Sequence, residues 1–393
     1  MIDTPKAVSY GSVVRRYTSP RKGLKMLRMK QRRLALLSAS VLATTLLASC
    51  AGQNESPEGD APQGGENSDY TIALSNSYLG NSWRQTMVKA FEATAGEAKE
   101  QGLISDFSVT NTSQNTATEQ IAQIKSLILT KPSAILINSA SPTGLNSVIE
   151  QACSAGITVV VFDSLASADC EYDLVNGLED YGYHEAKLVA EAMGGAGNVL
   201  MVRGVVGSAP ETQIHDGQLK ALEEYPDIEI VQELVGEASD SVTQEAVQSA
   251  IPSLPQIDGV ISGGSSYGAV QAFESAGLPL PHVAFDNSGE SLRFWQEVQA
   301  TEDYQSGSVR TDPGQASAAV WIALALLNGE EVPKTMYLPN VVIAEDNLQG
   351  WIDVTPTGNV AAWLWTQEQT EEAIATNLDE GTVEPLPVPT SAP

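Results

Sequence analysis

In the stretch Tyr70–Arg84, Y-T-I-A-L-S-N-S-Y-L-G-N-S-W-R, the side chains of Ser77, Asn81, Trp83 and Arg84 fall within eight residues of one another. A hydroxyl, an amide, an indole and a guanidinium so close together can exchange hydrogen bonds with a polar solute and stack on its apolar face. Trp83 is the odd member, since the first turn of an otherwise polar helix start is a poor place for a core residue. It is the candidate stacking surface, with packing inside a lobe as the alternative. Two carboxylates join the set. Asp163 ends the buried run Thr158–Phe162, and Asp286 follows the run His282–Phe285. Each can accept two hydroxyl hydrogen bonds, or can cap the helix that follows.

These residues need strands and helices to hold them. Thr71–Leu74 is a short apolar, partly β-branched run of the kind that forms a buried strand, and Ser82 with Gln85 three residues on has the capping-box pattern of a helix start. The polar loop between them would lie beyond the carboxyl end of a strand, where open α/β sheets bind ligands. Strands are expected near Phe107–Thr110, Ala134–Ile137 and Thr158–Phe162, with helices from about Thr116 and after Ser141-Pro142. A second series begins near Tyr172–Asn176. It continues through strands at Asn198–Val202, Ile228–Leu234, Gly259–Ser262 and His282–Phe285, then Tyr304–Arg310, the apolar helix Gly314–Leu327 and a last strand at Val341–Ala344. Alternation of this kind gives parallel sheets flanked by helices. Two such series make an α/β protein of two doubly wound parallel-sheet lobes with a cleft between them.

At 393 residues the chain is long enough for two ordinary cores. Its formal charge is −28, yet ten of its 21 Lys and Arg residues lie before Leu34, beside a single acid, Asp3. The remainder is therefore more acidic still, which repels phosphate backbones and excludes nucleic acid as a natural partner. The basic stretch Met26–Arg33 followed by the apolar run Leu34–Ala48 fits a signal peptide and is too short to span a membrane comfortably as a helix. Leu47-Ala48-Ser49-Cys50 resembles the lipobox of bacterial lipoproteins, which implies acylation of Cys50 and an export signal over residues 1–49. Residues 50–69, rich in Gly, Pro, Ser and acids, read as a flexible tether. Cys153 and Cys170 then remain, suggesting one disulfide in an exported protein, with two buried free thiols as the alternative. Neither has a His or second Cys at metal-ligand spacing, so no metal is expected.

The segments T-I-A-L, G-N-S-W-R, L-I-N-S, V-V-V-F-D, V-R-G-V-V-G-S and V-A-F-D-N, in this order and spacing, resemble those of periplasmic-binding-protein-like type I solute receptors of bacterial ABC importers, close to the ribose and galactofuranose binders. The resemblance covers about residues 70–345. It implies a three-segment hinge, with crossings near Asn176, Arg310 and Val341. The lobes would be residues 70–175 with 311–340 and residues 176–310 with 341–360, followed by an acidic, Pro-rich tail over 361–393 with a disordered-looking end from Pro385.

It also implies further contacts. Arg84 beside Trp83 resembles the W-R pair of galactofuranose-type binders. Ser164 stands where many relatives have Arg, and Thr212 where they have a second, so two cationic donors are missing. Arg310 at the hinge is expected to restore one, and Ser265 is the contact expected from Gly263–Ser266. Trp83 and Asp286 are expected to serve the ligand without contributing much to the stability of the empty protein.

The implied function is a lipid-anchored extracytoplasmic receptor, expected to be monomeric and cofactor-free. It would pass a monosaccharide or similar solute to a membrane permease driven by a separate ATPase subunit. A receptor reporting ligand occupancy to a membrane sensor is the alternative. An enzyme is disfavoured: no G-x-G-x-x-G follows the first strand, no phosphate-binding P-loop occurs, and His184, His215 and His282 form no evident nucleophile–base pattern.

Overall fold

The structure, a computed structural model, describes residues 69–301 and 304–390. The export signal, Cys50 and all but the last residue of the tether lie outside the described residues.

The first lobe is built on a six-stranded sheet, β1 (Thr71–Asn76), β2 (Asp106–Asn111), β3 (Ala134–Asn138), β4 (Thr158–Phe162), β5 (Tyr172–Asn176) and β11 (Thr335–Leu338). Its order is β11-β5-β4-β3-β1-β2, and every neighbouring pair is parallel. The two central apolar strands, A-I-L-I-N and T-V-V-V-F, are covered on both faces, which is why they read as continuous rather than alternating apolar runs. Strand pleating divides their side chains. Ala134, Leu136, Val160 and Phe162 pack with Met87 and Phe91 of α1 (Ser82–Glu100) and Ala319 and Ile322 of α9 (Gln315–Leu327). Ile135, Ile137, Val159 and Val161 pack with Ile124 and Leu127 of α2 (Ala117–Thr130) and Val148 and Ile149 of α3 (Asn146–Ser154).

The second lobe carries β6 (Ala196–Arg203), β7 (Asp227–Val235), β8 (Gly259–Ser262) and β9 (His282–Val283) in the parallel order β7-β6-β8-β9. Its helices are α4 (Leu178–Ala192), α5 (Ala209–Leu222), α6 (Asp240–Ala250), α7 (Ser266–Ser275) and α8 (Gly289–Thr301). Helices α4 and α5 approach so closely that a Cβ on Gly182 would lie 1.9 Å from the Ile214 carbonyl oxygen, and one on Gly217 would lie 2.0 Å from that of Glu179. Only glycine fits at either crossing point.

Three segments connect the lobes. β10 (Ser308–Arg310) pairs antiparallel with β12 (Val341–Ile343), and the Asn176 amide donates to the Leu338 and Pro339 carbonyls. After β12 come α10 (Leu348–Val354) and α11 (Gln367–Leu378).

Several local expectations are corrected. The cap of α1 is Asn81, one residue before Ser82: the Asn81 side chain accepts from the Arg84 amide at 2.9 Å, and Gln85 turns away to the Leu79 carbonyl. The helix after Pro142 starts only at Asn146, because Ser141 Oγ accepts from Gly144 N and closes a turn first. The C-terminal segment is tied into the fold. Trp363 and Trp365 are buried, and both donate to the Asp312 carboxylate, through the backbone N of Trp363 and the indole of Trp365. The expected disordered end is anchored as well: Pro387 O accepts from the Trp363 indole, and Val388 packs beside Gly350. Between these points Val360 bridges to Ser288 of the second lobe and donates its N–H to Thr86 Oγ1 of the first.

Candidate ligand-binding cleft

A cavity of about 410 Å³ lies where the strand ends of the two lobes face each other. That is within the size range of small-molecule sites, about 300–1,000 Å³.

The first-lobe wall is a connected polar chain. Ser77 follows β1 and donates to Asn138 Oδ1 at 3.1 Å. Asn138, the last residue of β3, donates to Asp163 Oδ2 at 2.9 Å. The same oxygen pairs with Arg84 Nη2 at 3.0 Å. Asp163 adopts a left-handed backbone, φ 57°, immediately after β4, the conformation that turns the chain at the sheet edge. Burial lowers the Arg84 pKa from its usual value, opposed by the charges of Asp163 and Tyr78. Arginine stays charged regardless, and its Nη1 is buried without a hydrogen-bond partner among the described residues. Trp83 lies alongside, with the guanidinium carbon 5.3 Å from its ring centroid and its indole N–H donating to the hinge carbonyl of Thr311.

The second-lobe wall is organised around the start of α7. Asp286 Oδ2 accepts from Ser266 Oγ and Tyr267 N, while its Oδ1 accepts from Ser288 N. Asp240, the first residue of α6, accepts from the next amide of α7, Gly268 N, at 3.0 Å. Burial, and then the Asp286 charge, push the Asp240 carboxyl up to about 8, against the Gly268 hydrogen bond. Arg310 enters from β10, 4.9 Å from the Tyr181 ring centroid and 3.5 Å from the buried Glu185 carboxylate. Burial works against the Arg310 charge, but Tyr181, Glu185, Asp286 and Asp240 outweigh it and hold the guanidinium's pKa above its ordinary value. Burial raises the Glu185 and Tyr181 pKa values despite that neighbouring cation. Among the described residues the Tyr181 hydroxyl and Arg310 Nε have no hydrogen-bond partner.

Ser77, Asn81, Trp83, Arg84, Asp163, Ser164, Asp286 and Arg310 all line the cavity, as expected from the sequence. Thr212 and Ser265 do not. Ser208 caps α5, and Thr212, one turn on, is exposed with its hydroxyl turned back to the Ser208 carbonyl. Ser265 is buried behind the wall, its hydroxyl 2.6 Å from that of Thr243. In their place stand the Arg203–Glu211 pair (2.5 Å), Tyr181 and Asp240, which sequence reasoning missed. Asp240 carried a signal, as an acid at a helix start within a second-lobe strand–helix connection. Cys153 and Cys170 form a disulfide between α3 and the β4–β5 connection.

A sequence profile of the periplasmic binding protein domain matches residues 72–331. The chain belongs to the periplasmic binding protein family. A solved member, an ABC transporter solute-binding protein from Thermobispora bispora, is 44% identical with a TM-score of 0.79, over 82% of this chain and all of that one. A member from Actinobacillus succinogenes, solved with bound D-allose, is 25% identical with a TM-score of 0.64, over 71% of this chain and 99% of that one. Among curated relatives, the xylitol-binding protein of Mycolicibacterium smegmatis is 26% identical, over 61% of this chain and 69% of its own length. The ribose import binding protein of Bacillus subtilis is 23% identical, over 76% of this chain and 94% of its own. These relatives are solute-binding proteins rather than enzymes, and the family fold is the two-lobed, hinged α/β architecture described above.

Proposed function

We propose that this chain is the extracytoplasmic receptor of an ABC importer for a neutral polyhydroxylated solute, a monosaccharide or a sugar alcohol. The observation that carries the reading is the composition of the cleft: Arg84 Nη1, Arg310 Nε and the Tyr181 hydroxyl, buried donors without a partner among the described residues, with the carboxyl groups of Asp163, Asp240 and Asp286 and an indole. Buried polar groups without partners cost about 1–3 kcal/mol each, so a ligand offering both hydroxyl donors and acceptors gains most by filling such a site. Arginines opposed by acids on both walls favour a neutral guest over an anion. The sugars and sugar alcohols bound by the relatives support the same class.

The lobes, residues 70–175 with 311–340 and 176–310 with 341–360, close about the hinge, because a ligand held by both walls favours the closed state. The closed receptor then docks on a permease served by an ATPase subunit. Cys50, acylated after removal of residues 1–49, tethers the monomeric receptor to the outer face of the membrane. The test is a thermal-shift screen of the protein beginning after Cys50 against D-ribose, xylitol, D-allose and myo-inositol. A ligand at 100 times its Kd adds about 2.7 kcal/mol and raises Tm. No shift with any sugar or polyol overturns the reading. Loss of palmitate labelling in Cys50→Ala tests the anchor.

A further inference from the structure

We infer that Asp240 is a neutral carboxylic acid in the unliganded cleft at pH 7, and that it donates its O–H to a hydroxyl of the bound solute. The inference rests on the reading of the cleft as a polyol site, and it assigns to Asp240 a role of its own there.

The geometry begins with one helix start shared by two acids. Three successive donors, Ser266 Oγ, Tyr267 N and Gly268 N, are divided between them: Asp286 takes the first two and adds Ser288 N, while Asp240 takes only the third. Hydrogen bonds to a carboxylate favour its charged form, and two carboxylates sharing one buried site do not both ionise readily. Asp240, with one protein donor where Asp286 has three, is therefore the one that takes the proton. Among the described residues the Gly268 amide is the one hydrogen-bond donor to Asp240, and the residue lines the cavity. Most of the groups facing it are acidic. Asp286 beyond β9 and Glu290 on α8 oppose its ionisation, and its own charge in turn opposes that of Tyr267 on α7. Arg310 on β10 is the one cation among them, and Glu185 and Tyr181 also surround it. The resulting value of about 8 places the change above the titration range of an ordinary histidine.

A neutral acid here offers what the charged wall lacks, a donor aimed at a sugar oxygen and able to discriminate against an analogue without that oxygen. Deprotonation replaces the donor with a second negative charge beside Asp286.

The experiment measures Kd for D-ribose, xylitol, D-allose and myo-inositol by calorimetry from pH 6 to 9.5. It is paired with the carboxyl carbon shift of Asp240 in the unliganded protein, assigned by its loss in Asp240→Asn. The wild-type affinity is expected to fall about tenfold by pH 9, one unit above the pKa. Asp240→Asn, whose amide keeps the Gly268 bond and a fixed donor, is expected to show no such fall and to bind more tightly than wild type at pH 9.5. A flat wild-type profile, or the same fall in Asp240→Asn, overturns the donor role. A carboxyl carbon that titrates in the ordinary Asp range overturns the proton assignment whether or not any probe binds. If none of the four binds while the carboxyl titrates high, the solute reading fails and takes the donor role with it, leaving only the proton assignment standing.

Discussion

The two walls of the cleft bury charge in different ways. On the first lobe a cation meets an anion: Arg84 and Asp163 pair at 3.0 Å, with Asn138 and Ser77 completing the chain. On the second lobe two anions face each other across the start of α7, and the conflict is relieved by a proton and by Arg310 arriving from the hinge. A buried charge needs a partner, and the partner can be another residue or a hydrogen ion. The second wall, relieved by a proton, should therefore respond to pH. Because Arg310 sits on β10, the second wall's electrostatics also depend on where the hinge places that strand.

Breaking the first wall should have the largest effect. Asp163→Ala strands a buried guanidinium, which typically costs about 3–5 kcal/mol. Urea unfolding should show that loss, and calorimetry should show no ligand binding. If stability is unchanged, the pair does not support the fold. Asp286→Ala comes next. Its carboxylate caps α7 and holds Ser288, so roughly 2–3 kcal/mol of stability should go along with binding. This replaces the expectation that Asp286 serves the ligand alone, and an unaltered Tm with lost binding would restore it. Trp83→Ala is third. It removes a ring face from the cleft and the hydrogen bond to Thr311 O, so affinity should fall at least tenfold while stability falls by about 1–2 kcal/mol. Equal binding by the variant would assign the indole to the hinge.

How much of this was legible depends on how local each signal was. Asp163 and Trp83 announce themselves: an acid at the end of V-V-V-F and an indole in a polar turn are visible within one strand–loop–helix unit. Asp240 is a single acid on an ordinary amphipathic helix, and its meaning comes from Asp286, 46 positions away and brought near only by α7. Thr212 was misplaced because a helix turn separates the exposed from the cleft-facing side of α5, where Glu211 lines the cavity instead. The C-terminal segment shows the same limit. Composition marks it as acidic and Pro-rich, whereas its two tryptophans are committed by Asp312, which lies about fifty positions earlier. Patterning reports which face of an element is apolar. It does not report which distant partner waits for a polar group.

Glu171 extends the comparison to a third buried carboxylate, away from the cleft at the start of β5. It is 3% exposed, and neither carboxyl oxygen has a well-aligned hydrogen bond among the described residues. Burial, and then the charge of Asp173, push it up to about 7, with the Ala168 backbone N–H and then Lys334 opposing. In the unfolded chain a glutamate titrates near 4.3, so between that pH and 7 the folded protein holds a proton that the unfolded chain has lost. Stability from this site is thus fully present below about pH 4.3 and declines as pH rises through 7. Glu171→Gln keeps the shape and removes the titration. Its Tm should match wild type at pH 4.5 and exceed it at pH 8, by an amount equivalent to up to about 3 kcal/mol, with binding untouched at both. Asp240→Asn should show the same alkaline gain in the empty protein and, unlike Glu171→Gln, should also alter the pH dependence of ligand affinity. A gain in ligand affinity from Glu171→Gln at pH 8 would mean that buried protons far from the cleft also govern binding, and the contrast between the two walls would then no longer explain the pH response.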